Sequence, residues 1–130
     1  MASIQKTVAL VVGIVFVIVG ILGFVPALVP GGNLLGIFSV NSLHDLVHIL
    51  FGVLGIAAAF TGWSRLYNRV IGVVYLVLAV LGFIPGLIMN GLLLGLVSIN
   101  LSDNFLHLVI GAVLVIVGYF VADRVSAARA

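Results

Sequence analysis

Eight consecutive residues, Asn41-Ser42-Leu43-His44-Asp45-Leu46-Val47-His48, hold most of the polar chemistry of an otherwise apolar chain, and a fainter copy follows at Asn100-Leu101-Ser102-Asp103-Asn104-Phe105-Leu106-His107. On a helix, residues four apart share a face, so His44 lies above His48 and Asp103 above His107. Two such faces brought together would offer three imidazoles and one carboxylate. That donor set can hold zinc or another divalent transition metal in tetrahedral geometry. Alternatively His48 or His107 could serve as the axial ligand of a tetrapyrrole, with Gly52 or Gly111 one turn away leaving space for a flat ring.

A structural reading competes with both and is ranked first. Backbone groups near the hydrocarbon that lack a partner cost several kcal/mol each, so Asn, Ser and His in such places commonly act as caps and backbone partners. On that reading Asn41 or Ser42 caps one helix and Asn100 caps another. Asp45 sits in a first turn, where a carboxylate suits the positive end of the helix dipole. Asn104 belongs to the same polar cluster, and His48 and His107 bond to the loops or to each other. A histidine inside a membrane is costly and titrates near neutrality, so both remain candidates for function.

The elements that position these residues follow from composition. With 65% hydrophobic residues, 6% charged residues and a mean hydropathy of +1.52, the chain cannot coat a water-soluble globule and must lie in a lipid bilayer. Five Lys and Arg against three Asp and Glu form no basic patch for nucleic acid. The absence of cysteine excludes disulfides, thiolate metal sites and thiol catalysis. There is no nucleophile-base pair, no H-E-x-x-H, no paired carboxylate and no phosphate loop, so the expected role is non-enzymatic.

Four apolar runs are long enough to cross a hydrocarbon core of about 30 Å. The first spans Thr7 to Val25 and is read as a retained helix, because it is longer than a signal-peptide core and Gly23-Phe24-Val25-Pro26-Ala27 is an indifferent cleavage site. Pro26, Pro30 and Gly31-Gly32-Asn33 end it. Residues 34–40 are too few to span and are read as an interfacial or re-entrant connection. A second helix runs from Asn41 or Ser42 to Phe60 or Gly62, and Thr61 to Arg69 reads as an interfacial loop rich in Trp, Tyr and Arg. A third helix ends near Phe83 before Pro85-Gly86. Residues 93–99 form a connection like 34–40, and a fourth helix runs from Asn100 to about Ala122.

A shift of 59 residues carries His48 onto His107, and also Gly23-Phe24 onto Gly82-Phe83, Pro26 onto Pro85, Leu34-Leu35-Gly36 onto Leu93-Leu94-Gly95, Asn41 onto Asn100 and Gly52 onto Gly111. The expected fold is therefore an all-α integral membrane protein of four transmembrane helices. It forms one membrane domain over residues 1–130, built as a tandem parallel repeat of two helical hairpins (residues 10–60 and 69–119). Lys6, Arg65, Arg69, Arg124 and Arg129 fall at the termini and the middle loop, which places both termini in the cytoplasm and the histidines near the outer face. Gly13, Gly20, Gly52, Gly55, Gly72, Gly111 and Gly118 form small-residue stripes expected to pack helix against helix within the chain.

The run Leu35-Gly36-Ile37-Phe38-Ser39-Val40-Asn41-Ser42-Leu43-His44-Asp45-Leu46-Val47-His48-Ile49-Leu50-Phe51-Gly52, with its Asn-x-x-His-x-x-x-His-x-x-x-Gly core, resembles the DUF4383 family of small bacterial membrane proteins. The resemblance covers nearly the whole chain. It implies four helices and a bacterial inner-membrane location, and it brings no activity with it. In the second half the pattern departs, with Asp103 in the place of His44 and Asn104 in the place of Asp45.

Three functional classes remain open. The first is a small structural or accessory protein that forms a homo-oligomer or joins a larger membrane complex, its surroundings being the lipid bilayer. The second is a metal- or tetrapyrrole-binding protein using His44, His48, Asp103 and His107. The third is a small-solute transporter or channel, for which the helices supply almost no polar lining.

Overall fold

A run of apolar residues in lipid has no water to bond its backbone, so each must close its own hydrogen bonds as a helix. The computed structural model describes residues 3–122. Its four helices are α1 (Ile4–Leu22), α2 (Ser42–Thr61), α3 (Ser64–Gly82) and α4 (Leu101–Phe120). Each is long and apolar enough to cross a membrane.

Local chemistry sets their ends. The Ser3 hydroxyl accepts from Lys6 N at 3.0 Å and starts α1 three residues before Thr7. Helix α1 stops at Leu22, short of the expected Val25, because a residue before proline is pushed out of the helical region. Val25 has φ −94°, ψ 106°, and Ile84 before Pro85 has φ −98°, ψ 104°.

The stretch from Thr61 to Arg69 is not a loop. Gly62 takes the left-handed conformation at φ 81° and caps α2, and α3 begins at Ser64, leaving only Gly62 and Trp63 between the helices. The polar residues there belong to a helix because their partners are in the protein. Arg69 Nε donates to Gly118 O at 2.7 Å, and Arg65 donates to Gly118 O and Val121 O, filling open carbonyls at the end of α4.

The two other connections carry small antiparallel ladders. Strand β1 (Asn33–Leu34) pairs with β2 (Phe38–Ser39), with Asn33 opposite Ser39. Strand β3 (Ile88–Met89) pairs with β4 (Leu92–Leu93), which pairs with β5 (Val97–Ser98), with Leu92 opposite Ser98. The segments 34–40 and 93–99 are thus hairpins closed on themselves. Leu35-Gly36 and Leu94-Gly95 form their tips with φ of 54° and 73° in both, the pattern of a type I′ turn.

Helix α1 lies antiparallel against α2 and α3 against α4, and the two pairs meet where α3 packs on α1 and α2 and, to a lesser extent, where α4 packs on α1. The pairs approach closely at glycine. A Cβ on Gly52 would lie 2.6 Å from Gly13 O and 2.7 Å from Val17 N, and one on Gly111 would lie 2.7 Å from Leu76 N. Gly20, Gly55, Gly72 and Gly118 also face neighbouring helices of the same chain. Between the two ends, Ala9, Phe16, Ala58, Tyr67, Ile71, Tyr75 and Leu114 form the core. Large apolar side chains such as Val11, Leu50, Val80 and Val109 point outward, while Gln5, His44, His48, Asn68 and His107 point inward. This distribution suits lipid outside the bundle.

Candidate metal centre

The histidines sit at the end of the bundle where the two hairpins lie. Asn41 precedes α2 with its backbone extended, and its Oδ1 accepts from His44 N at 2.9 Å. Ser42 is the exposed first residue of the helix and makes no cap, so the cap falls to Asn41 alone. This places His44 in the first turn and His48 one turn further in, with ring centroids 4.6 Å apart.

Helix α4 begins in the same way. Asn100 Oδ1 accepts from Asp103 N at 2.9 Å, and Asp103 Oδ2 accepts from Asn100 N at 3.0 Å, forming a reciprocal capping box. His107 follows one turn later, and its ring centroid is 5.9 Å from that of His44.

Each cap also reaches across to the other half. Asn41 Nδ2 donates to Leu96 O at 3.0 Å, and Asn100 Nδ2 donates to Ile37 O at 2.9 Å. His44 Nδ1 lies 2.9 Å from Ser98 O. A carbonyl only accepts, so Nδ1 carries the proton and the lone pair of His44 sits on Nε2. A ring fixed by its far nitrogen on a backbone carbonyl is the usual second-shell arrangement of a metal-ligating histidine.

One ring nitrogen from each of His44, His48 and His107 falls within 4.8 Å of the others, and all three residues are buried. Nδ1 of His48 and of His107 is buried with no hydrogen-bond partner. The rings rest on an aromatic floor, where Phe16 stacks on His48 at 5.6 Å and Tyr75 meets His107 edge-on at 5.2 Å. A cavity of about 210 Å³ adjoins the cluster, walled by Tyr75 and by apolar residues including Val47, Phe51, Leu78, Leu93 and Val97.

One part of the sequence expectation changes. Asp103 does not join the histidines, because at the third helical position its carboxylate turns back onto the Asn100 N–H. His48 and His107, the two candidate axial ligands of a tetrapyrrole, are both buried beside the 210 Å³ cavity.

The remaining polar residues of this end lie against the ends of α1 and α3. Asn104 Nδ2 donates to Gly82 O at 2.8 Å, tying α4 to the end of α3. Asp45 occupies the corresponding place against Gly23 at the end of α1, yet its Oδ1 is buried without a partner. An ionised carboxylate only accepts and cannot bond a carbonyl as the Asn104 amide does. Asp45→Asn is therefore expected to stabilise the protein by about 1 kcal/mol, and Asn104→Asp to destabilise it by at least as much. Unfolding midpoints in detergent measure both; no rise for Asp45→Asn sinks the assignment.

A second polar cluster at the opposite end escaped the sequence reading. Gln5 and Asn68 are 1% and 0% exposed. Asn68 Nδ2 donates to Gln5 Oε1 at 2.9 Å, and Gln5 Nε2 donates to Val117 O at 2.7 Å. An uncharged amide beside a long apolar run was the available signal. Assigning Asn68 to a loop concealed it.

The geometry defines a small multi-pass helical membrane protein with a buried three-histidine cluster at one end. The family model of DUF4383, a domain of unknown function, matches residues 6–120, and the chain belongs to that family. No curated protein and no solved structure matches it.

Proposed function

We propose that this is a non-enzymatic metal-binding membrane protein in which one transition-metal ion, held by His44, His48 and His107, ties the two helical hairpins together. The observation that carries the reading is the pair of buried, unpartnered ring nitrogens on His48 and His107 beside a His44 already oriented by Ser98 O. Three convergent imidazoles suit zinc, copper or nickel. On His48 and His107 the Nδ1 atoms have nothing in place of water until an ion arrives. Helices α2 and α4 touch each other little, so an ion shared by them would add a tie between the two hairpins beside the crossed asparagine bonds.

This reading retains a structural or accessory role, in a homo-oligomer or a larger membrane complex, and gives that role a chemical basis. It leaves little room for solute transport, because Phe16, Tyr75 and Leu114 fill the interior between the two polar ends. The spacing of 59 residues between the paired caps and glycines supports a duplicated hairpin, with repeats over 10–60 and 69–119 in one domain. Lys6, Arg65 and Arg69 at the end opposite the hairpins support cytoplasmic termini and a histidine site at the outer face of a bacterial inner membrane.

Elemental analysis of protein purified from membranes tests the reading. The expected result is about one transition-metal ion per chain, with affinity lower by at least about a hundredfold in the His48→Ala and His107→Ala variants. A wild-type protein that takes up no zinc, copper, nickel or cobalt overturns it.

A further inference from the structure

We propose that the ion is copper in its monovalent state, held by Nε2 of His44 and one ring nitrogen each of His48 and His107, with no anionic ligand. This rests on the metal-binding reading above and names the ion.

Charge is the first argument. All three donors are neutral imidazoles. Of the two aspartates among the described residues, Asp103 is held by the Asn100 N–H and Asp45 packs on Gly23 beside α1. A divalent ion would therefore keep its full charge inside an apolar wall, in a helical end surrounded by lipid. The cost of moving an ion from water to such a medium grows with the square of its charge, so a monovalent ion bears about a quarter of it.

The number of donors points the same way. Zinc takes four ligands, and where the protein supplies three a water fills the fourth place. Here the cluster supplies three, and the adjoining cavity would hold that water against a wall of Val47, Phe51, Val74, Leu78, Leu93 and Val97, with Tyr75 beside it. Tyr75 packs edge-on against His107. Monovalent copper has a filled d shell and is satisfied by two or three nitrogen donors.

Closure of the site is mechanically simple. One ring nitrogen of each histidine stands within 4.8 Å of the others, whereas three nitrogens about 2.0 Å from a central ion in one plane are about 3.5 Å apart. His44 is anchored through Nδ1, while the Nδ1 atoms of His48 and His107 have no hydrogen bond to break as their rings turn inward.

The test is an anaerobic competition on the full chain in detergent, with Cu(I) offered against the chromophoric chelator bicinchoninate and with Zn(II) and Co(II) in parallel titrations. The expected result is withdrawal of about one Cu(I) per chain, an X-ray absorption spectrum of two or three nitrogen neighbours, and Zn(II) and Co(II) bound at least about a hundredfold more weakly. Stoichiometric Zn(II) or Co(II) binding with Cu(I) left on the chelator overturns the copper proposal while the three-histidine reading stands. Failure to bind any of the three ions removes the copper proposal, and refusal of Ni(II) as well removes the three-histidine reading. Sulfur neighbours in the spectrum would place copper on methionine and overturn the proposal without requiring a variant to fold.

Discussion

Gly52→Val is expected to separate α1 from α2 and cost on the order of 3 kcal/mol, the upper range for overpacking. The reason is that the added atoms meet backbone. A Cβ at Gly52 falls 2.6 Å from Gly13 O and 2.7 Å from Val17 N, and neither can move aside without moving α1. In lipid the helices gain nothing from hiding apolar surface from water, so close contact supplies much of the force between them. Gly86→Ala is the control, since a Cβ there meets nothing within 4 Å. Unfolding in mixed micelles followed by circular dichroism compares the two. Equal midpoints would mean that the Gly13–Gly52 approach does not hold the hairpin together.

The double change Asn41→Ala, Asn100→Ala should lower stability by about 4 kcal/mol. Each loses a helix cap worth about 1 kcal/mol and a hydrogen bond to the opposite hairpin worth about 0.5–1.5 kcal/mol. The four bonds are His44 N to Asn41, Asp103 N to Asn100, Asn41 to Leu96 O and Asn100 to Ile37 O, all between 2.9 and 3.0 Å. The metal site should suffer with the fold, because Asn41 sets the start of the helix that carries His44 and His48. We expect metal affinity to fall by about tenfold, as for the loss of a second-shell partner. Titration of the double variant measures it. Unchanged affinity together with reduced stability would separate the caps from the histidine geometry.

Much of the architecture was legible because lipid imposes a severe rule on sequence. An uncharged apolar run can only be a helix there, so four such runs made four helices, with the starts of α2 and α4 marked by Asn41 and Asn100. The helix ends were less visible. Pro26 stops α1 through the conformation it forces on Val25, and the break falls further upstream than the apolar run itself indicates. The segment from Ser64 to Arg69 looked like a loop because its residues are polar. Their partners, Gln5 and the carbonyls at the end of α4, are distant in sequence. The hairpins at 33–39 and 88–98 were hidden because Leu35 and Leu94 occupy a left-handed conformation that their identity does not announce.

The opening cluster divides along the same line. From the sequence alone came the membrane environment, the four helices, the two asparagine caps and the placing of His44 above His48, all consequences of composition and helical period. Only the tertiary structure could decide which polar residues meet. It brings His107 to His44 and His48, turns Asp103 away into its own cap and anchors His44 on Ser98 O. The physical reason is that helical period governs neighbours one turn apart. Contact between α2 and α4 depends instead on how glycine-lined helices settle against each other and on where the crossed caps draw the hairpins.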